Sequence, residues 1–198
     1  FGPEVQPILA QRGAYSWNPA VTCELDADRF EALCFQASNE DLPDAARIEL
    51  YRQAVALYQG DLLPKLNHQM WLIPLSVHYH TLYLEAVKAL AALLDRAELF
   101  DEMQLVCQRA SSLDNLDEGL HTLIVRSLLR QGKDAAALDH YEKATDLLYR
   151  NLGVRPSEEL RALYTEIMAT EKTLETDLGA IMADLKETAA RPGAFVCE

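Results

Sequence analysis

The sequence has little of what nucleic acids, membranes or catalysis require. Its 198 residues carry 18 Lys and Arg against 31 Asp and Glu, a formal net charge of −13. Nucleic-acid binding draws on basic side chains that neutralise phosphates. The chain as a whole is thus a poor DNA-binding surface, and its acidity suits basic or neutral partners. No uninterrupted apolar run nears the roughly 18 residues that span a bilayer, and no basic segment followed by an apolar one opens the chain. These absences point to a soluble, cytoplasmic protein without membrane contact. The four cysteines, Cys23, Cys34, Cys107 and Cys197, are far apart and form no CxxC pair. That fits reduced, mostly packed thiols better than a disulfide or zinc framework.

Catalytic motifs are missing too. "QGK" at 131–133 lacks the glycine spacing and Ser/Thr of a phosphate loop, and neither G-x-S-x-G nor H-E-x-x-H occurs. His78 and His80, two apart on a helix, diverge by about 200° and cannot easily grip one ion. His68, His121 and His140 have no Cys or carboxylate at ligand spacing. The acidic run 114–118 sits where a helix should start, favoured there by the helix dipole. The expectation is a non-enzyme with no catalytic residue, no cofactor and no metal site.

What the chain does contain is helical periodicity. Only the first 24 residues differ. Ile8–Gln11 and Ala14–Trp17 read as two strands around Arg12-Gly13, and Asn18-Pro19 ends the pattern. A lone hairpin is marginal in water, so this one belongs to a larger sheet or to a domain this chain does not fully contain. Asp26 is the expected N-cap of the next helix, with Phe30, Leu33 and Cys34 on one face. Pro43-Asp44 opens another, its face running Ile48, Tyr51 (or Leu50), Ala54, Val55 and Tyr58. After a loop at 59–73, Pro74 starts what reads as the longest helix, to about Ala97, with Leu75, Tyr79, Leu82, Ala86, Leu90 and Leu93 on a helical period. Further helices fit 100–112, 117–131, 134–150, 157–172 and 173–190. The fold class expected is all-α.

An internal echo sharpens that class. Leu99 and Lys133 are 133 − 99 = 34 apart, as are Met103 and Ala137, Cys107 and Tyr141, and Ala110 and Ala144. This is the tetratricopeptide period. Ala137, Tyr141 and Ala144 have the spacing that lets a partner helix approach at the alanines while the tyrosine fills a gap. Arg47, Tyr51 and Ala54 make a looser, earlier copy. At the end of the echo, "RNLGVRPSEELRALYTEI" is well punctuated. Gly153 suits a left-handed helix end, Pro156 blocks continuation, and Ser157 caps the next helix. Leu160, Leu163, Tyr164 and Ile167 then form a stripe.

The wording of this region, "YEKATDLLYRNLGVRPSEELRALYTEI", resembles the end of the bacterial transcriptional activator domain. That domain follows the winged-helix DNA-binding domain in regulators of the Streptomyces antibiotic regulatory protein family. The resemblance runs upstream through "LDNLDEGLHTLIVRSLLRQGKDAAALDHYEK", Trp71, "YRQAVALYQGDLLP" and "ELDADRFEAL", covering roughly 24–168. It implies a tetratricopeptide-like helical-hairpin solenoid that packs against its own DNA-binding domain and mediates dimerisation and regulatory contacts. It implies that "ILAQRGAYSW" is the wing of a winged helix, with Arg12 near the DNA backbone and the groove-reading helix upstream of Phe1. One departure is Val77-His78, where relatives carry an acidic-Arg pair.

The expected domains are therefore a wing-like hairpin at 1–24, a helical domain at 25–170, and a C-terminal helix and linker at 171–198. In the last, Leu174, Leu178, Ile181 (or Met182) and Leu185 suit a dimer seam or a connector, and "RPGAFVCE" reads as a linker entering a strand. The implied function is a regulatory and oligomerisation module of a transcriptional regulator. Its implied partners are its own DNA-binding domain, the transcription machinery and a second copy, with no tight DNA binding by this chain itself. The alternative is a stand-alone tetratricopeptide scaffold for peptides, which should show a Lys/Asn/Arg clamp that is not evident here. Tyr51, Tyr83, His121 and Tyr141 are the side chains placed to line a groove, and each also fits a core role.

Overall fold

The computed structural model describes residues 6–190, and these are mostly helical. Two strands, β1 (Ile8–Gln11) and β2 (Ala14–Trp17), pair antiparallel with Ile8 opposite Trp17 and Gln11 opposite Ala14. Seven α-helices follow: α1 (Asp26–Ala37), α2 (Asp44–Leu57), α3 (Ile73–Arg96), α4 (Phe100–Leu113), α5 (Glu118–Arg130), α6 (Asp134–Leu152) and α7 (Glu158–Ala190). One 3-10 turn, Pro64–Leu66, interrupts the 59–73 loop. The chain divides into two compact units after Ala86.

In the first unit the hairpin turns on Arg12 and Gly13, with φ of 49° and 83°. Both lie in the left-handed region that matches the twist of paired strands. Asn18 N–H donates to the Pro7 carbonyl at 2.9 Å and closes the hairpin's base. Helices α1 and α2 pack as an antiparallel pair. They bury Phe30, Leu33, Cys34 and Ala37 from one, and Ile48, Tyr51, Ala54 and Val55 from the other. Both sets are the apolar periods legible in the sequence. Arg47 Nε ties the pair at its closed end by donating to the Ala37 carbonyl at 2.9 Å.

Three expectations are corrected here. Asp26 is the first helical residue of α1 and Leu25 the cap, so the Asp26 carboxylate favours the helix dipole and accepts from Ala27 N–H at 2.9 Å. The buried face of α3 is Tyr83, Ala86, Val87, Leu90, Ala91, Leu93 and Leu94, which keeps the expected Ala86, Leu90 and Leu93, whereas Leu75 is 43% exposed. The pattern starts later than the sequence suggested because the first turns of α3 carry exposed apolar residues, Ile73 and Val77 among them. Finally, 157–172 and 173–190 are one helix of 33 residues, longer than the 24 of α3. No Pro or cap signal separates them, and the threonines between are absorbed. Thr170 and Thr176 hydroxyls donate to the carbonyls four residues back, of Glu166 and Lys172, at 3.1 and 2.8 Å.

In the second unit α4, α5, α6 and α7 pack in sequence, with α7 touching both α5 and α6. Met103, Cys107 and Ala110 on α4 and Ala137 and Ala144 on α6 are fully or almost fully buried. These are five of the eight members of the 34-residue echo, whereas Leu99 and Lys133 are exposed. Tyr141, the larger residue between the two alanines, stacks on Tyr164 of α7 with ring centroids 4.8 Å apart. Asp117 caps α5 by accepting from Leu120 N–H at 3.1 Å, and its other oxygen accepts from Lys88 Nζ at 2.6 Å.

The Gly-Pro corner before α7 takes the form its residues dictate. Gly153 ends α6 at φ 67°, its N–H on the Tyr149 carbonyl at 2.9 Å. Ser157 Oγ accepts from Leu160 N–H at 3.2 Å. Helix α5 also holds this corner: the Glu118 carboxylate accepts from Ser157 N–H and Arg126 pairs with Glu159, both at 2.6 Å. Leu160 and Ile167 are fully buried, each contributing on the order of 2 kcal/mol.

Candidate functional site

The four side chains picked out as groove-lining divide between the units, two in each. Tyr51 is 5% exposed on α2; burial raises its phenol pKa, partly offset by the neighbouring Arg47. Tyr83 is fully buried and stacks on Tyr58 with centroids 4.2 Å apart. His121 is 5% exposed, while Tyr141 is half-buried against Tyr164. Arg12 stands exposed at the hairpin tip.

His121 belongs to a hydrogen-bonded chain. Its Nε2 lies 2.9 Å from the Asn115 carbonyl, which can only accept, so Nε2 carries the proton. Its Nδ1 lies 3.1 Å from His140 Nε2, in hydrogen-bond contact. Burial and the neighbouring His121 lower the His140 pKa to about 4, so the His140 ring is neutral at pH 7. Elsewhere, His78 Nε2 meets the Glu31 carboxylate at 2.7 Å, and Tyr58 Oη lies 3.4 Å from His80 Nδ1. Among the described residues no three His, Cys, Asp or Glu side chains are grouped to hold a metal ion. Burial raises the thiols of Cys34 and Cys107 to about 11 and about 12, keeping them protonated and unreactive. Cys23 is exposed; Cys197, the 191–198 tail and the side chain of Leu174 lie outside the described residues.

The first unit holds an open cavity of about 550 Å³ where the start of α1, the end of α2 and the following loop meet Tyr79 of α3. Phe30, Tyr58 and Tyr79 line it, with Phe30 centroids 5.9 and 6.4 Å from the two tyrosine rings. Asp26 and Asp61 complete the wall. Burial, then Asp61, then Tyr83 push the Tyr58 phenol up to about 12. Burial also raises Tyr79, with Glu31, Asp28 and Asp26 adding to it. The loop reaches its path through Gly60 at φ 142° and Leu63 in the left-handed region at φ 48°. Sequence periodicity assigned Phe30, Tyr58 and Tyr79 to helix faces and did not single them out. The available signal was "YQGDLLP", where an aromatic helix end runs into a Gly-Asp turn.

Each unit also carries an exposed apolar surface. In the 59–73 loop and the start of α3, Met70 is 85% exposed, Trp71 59% and Val77 59%. On the distal part of α7, Leu178, Ile181, Met182 and Leu185 are all more than half exposed. No helix among the described residues is long and apolar enough to cross a membrane.

Residues 25–168 match the family model described as "Bacterial transcriptional activator domain". No curated protein matches the chain. Two solved structures share its fold. Hsp90 co-chaperone Cns1 of Saccharomyces cerevisiae superposes with a TM-score of 0.63 at 11% identity, over 83% of this chain and 46% of that one. Mycobacterium tuberculosis EmbR, in complex with a low-affinity phosphopeptide, superposes with a TM-score of 0.62 at 20% identity, over 91% of this chain and 49% of that one. The chain thus spans about half the length of each. Both neighbours are tetratricopeptide-like, the architecture implied by the 34-residue echo.

Proposed function

Because the chain belongs to the bacterial transcriptional activator domain family, we propose that it is the non-catalytic contact module of a larger transcriptional regulator. In this reading residues 25–170 are the regulatory domain, and its partners are the regulator's own DNA-binding domain, the transcription machinery and a second copy of the chain. It works in the cytoplasm. The hairpin at 1–24 is the wing of a winged-helix domain, with Arg12 beside the DNA backbone. The half-buried Tyr141, with His121, Tyr51 and Tyr83, holds the helix pairs in the spacing a contact surface needs.

The observation that carries the reading is the uncovered stripe on distal α7. Leu178, Ile181, Met182 and Leu185 recur at i, i+3, i+4 and i+7 on a helix whose first turns are locked into the core by Leu160 and Ile167. A stripe of this spacing left in water favours a partner helix. The occupant we assign is the same stripe of a second copy. Sedimentation equilibrium of the 198-residue chain tests it. A self-associating chain that becomes monomeric in the Leu178→Asp/Leu185→Asp variant supports the seam. A chain that is monomeric at high concentration, or a variant that still self-associates, removes it.

A further inference from the structure

We infer that the cavity between α1, α2 and α3 is a binding site for an organic cation, a guanidinium or an alkylammonium group. This goes beyond the contact role and stands without it, since every residue it uses lies before Ala86.

Size comes first. A cavity of about 550 Å³ is in the range of small-ligand sites and accommodates a guanidinium on its alkyl stem. The chemistry of the wall is selective. Phe30 and Tyr58, 2% and 7% exposed, and the half-buried Tyr79 form its aromatic wall, and an electron-rich ring attracts a cation and not an anion. Asp26 and Asp61 add two formal negative charges, and no Lys, Arg or His lines the cavity. Neither carboxylate has an ion-pair partner among the described residues. The nearest basic side chain in sequence, Arg29, is turned to Glu24 at 3.7 Å.

The other ligand classes fit less well. An anion would meet two carboxylates and an aromatic wall of the same sign. A neutral apolar group would strip water from Asp26 and Asp61 and leave them unpaired, which is costly. A cation answers both at once: its charge pairs with the carboxylates while its flat or alkyl part lies on the rings. The two are separate requirements, and only the combination of aromatic wall and unpaired carboxylates meets them. The net charge of −13 draws cations toward the surface generally, but the aromatic wall is what makes this cavity a site.

The test titrates the 198-residue chain with N-acetyl-argininamide and, separately, with its uncharged isostere N-acetyl-citrullinamide, following amide NMR shifts. Saturable shifts confined to the segments around Asp26, Tyr58, Asp61 and Tyr79, at least about tenfold stronger for the arginine probe, are the expected result. The Asp26→Asn/Asp61→Asn variant, altered only at exposed positions, should lose about tenfold in that affinity with its melting temperature retained. Tyr79→Leu should weaken it independently. Two further arms separate the sources: tighter binding of agmatine marks a free amine, and tighter binding of Ala-Ala-Arg-Ala-Ala marks a side chain of a basic protein segment. Equal binding of the charged and uncharged probes overturns the proposal. So does an affinity unchanged in the double Asn variant, or the absence of saturable shifts at these residues.

Discussion

His121 Nδ1 and His140 Nε2 share a hydrogen bond at 3.1 Å that joins α5 to α6. Burial and the neighbouring ring hold the His140 pKa at about 4, against an ordinary 6.5. Below pH 6.5 the unfolded chain takes up a proton that the folded chain refuses. Stability from this pair is therefore complete above 6.5, falls as pH drops towards about 4, and levels off below it. The slope contributed is at most about 1.4 kcal/mol per pH unit. Urea midpoints measured from pH 7 to pH 4 should fall for the wild type and fall less steeply for His140→Gln. Parallel curves would show that the pair does not set the acid limb.

Asp117 serves two elements at once, capping α5 through Leu120 N–H and pairing with Lys88. Asp117→Ala should cost about 1–2 kcal/mol, the range of a lost cap, while Lys88→Met should cost less because Lys88 is partly exposed. Chemical denaturation of the two variants ranks them. Equal losses would mean that the ion pair, rather than the cap, carries the effect.

Ala137 and Ala144 are buried to 0% and 2% where α6 meets its neighbours. Leucine at either position forces the helices apart, at about 1–3 kcal/mol. Tyr141→Leu keeps bulk and loses the Tyr164 stack, at about 1 kcal/mol. If both alanine variants matched wild type in thermal melts, the close approach at the echo positions would be refuted.

Gly153 has φ 67° and open space around its missing Cβ. Gly153→Ala should therefore cost about 1 kcal/mol through backbone strain alone, with no effect on probe binding at the α1–α2 cavity. A larger loss in calorimetry would point to a contact that the open surroundings do not provide.

These residues show which parts of the fold are written locally. Gly153 and Pro156 act through their own backbone and Ser157 through a local side-chain cap, so the corner before α7 is readable to the residue. The 34-residue echo exposed the small buried positions of α4 and α6, because close helix approach demands small side chains at a fixed period. The start of the α3 face was misplaced because Ile73, Leu75 and Val77 are apolar yet exposed, and periodicity cannot separate a core face from an uncovered one. The join of 157–172 to 173–190 carries no Pro or cap signal, and Thr170 and Thr176 bond their own helix. The cavity was least legible. Asp26, Asp61 and Tyr79 are distant in sequence and meet only when α1, the loop after α2 and α3 come together.

In the proposed function this chain makes contacts between proteins and leaves DNA reading to another domain. Fluorescence anisotropy of the 198-residue chain titrated into labelled duplex DNA, at physiological salt and against unlabelled competitor, tests it most directly. With 31 acidic and 18 basic side chains, the prediction is no saturable, sequence-dependent binding. Tight binding that discriminates between duplexes and weakens steeply with salt would contradict it.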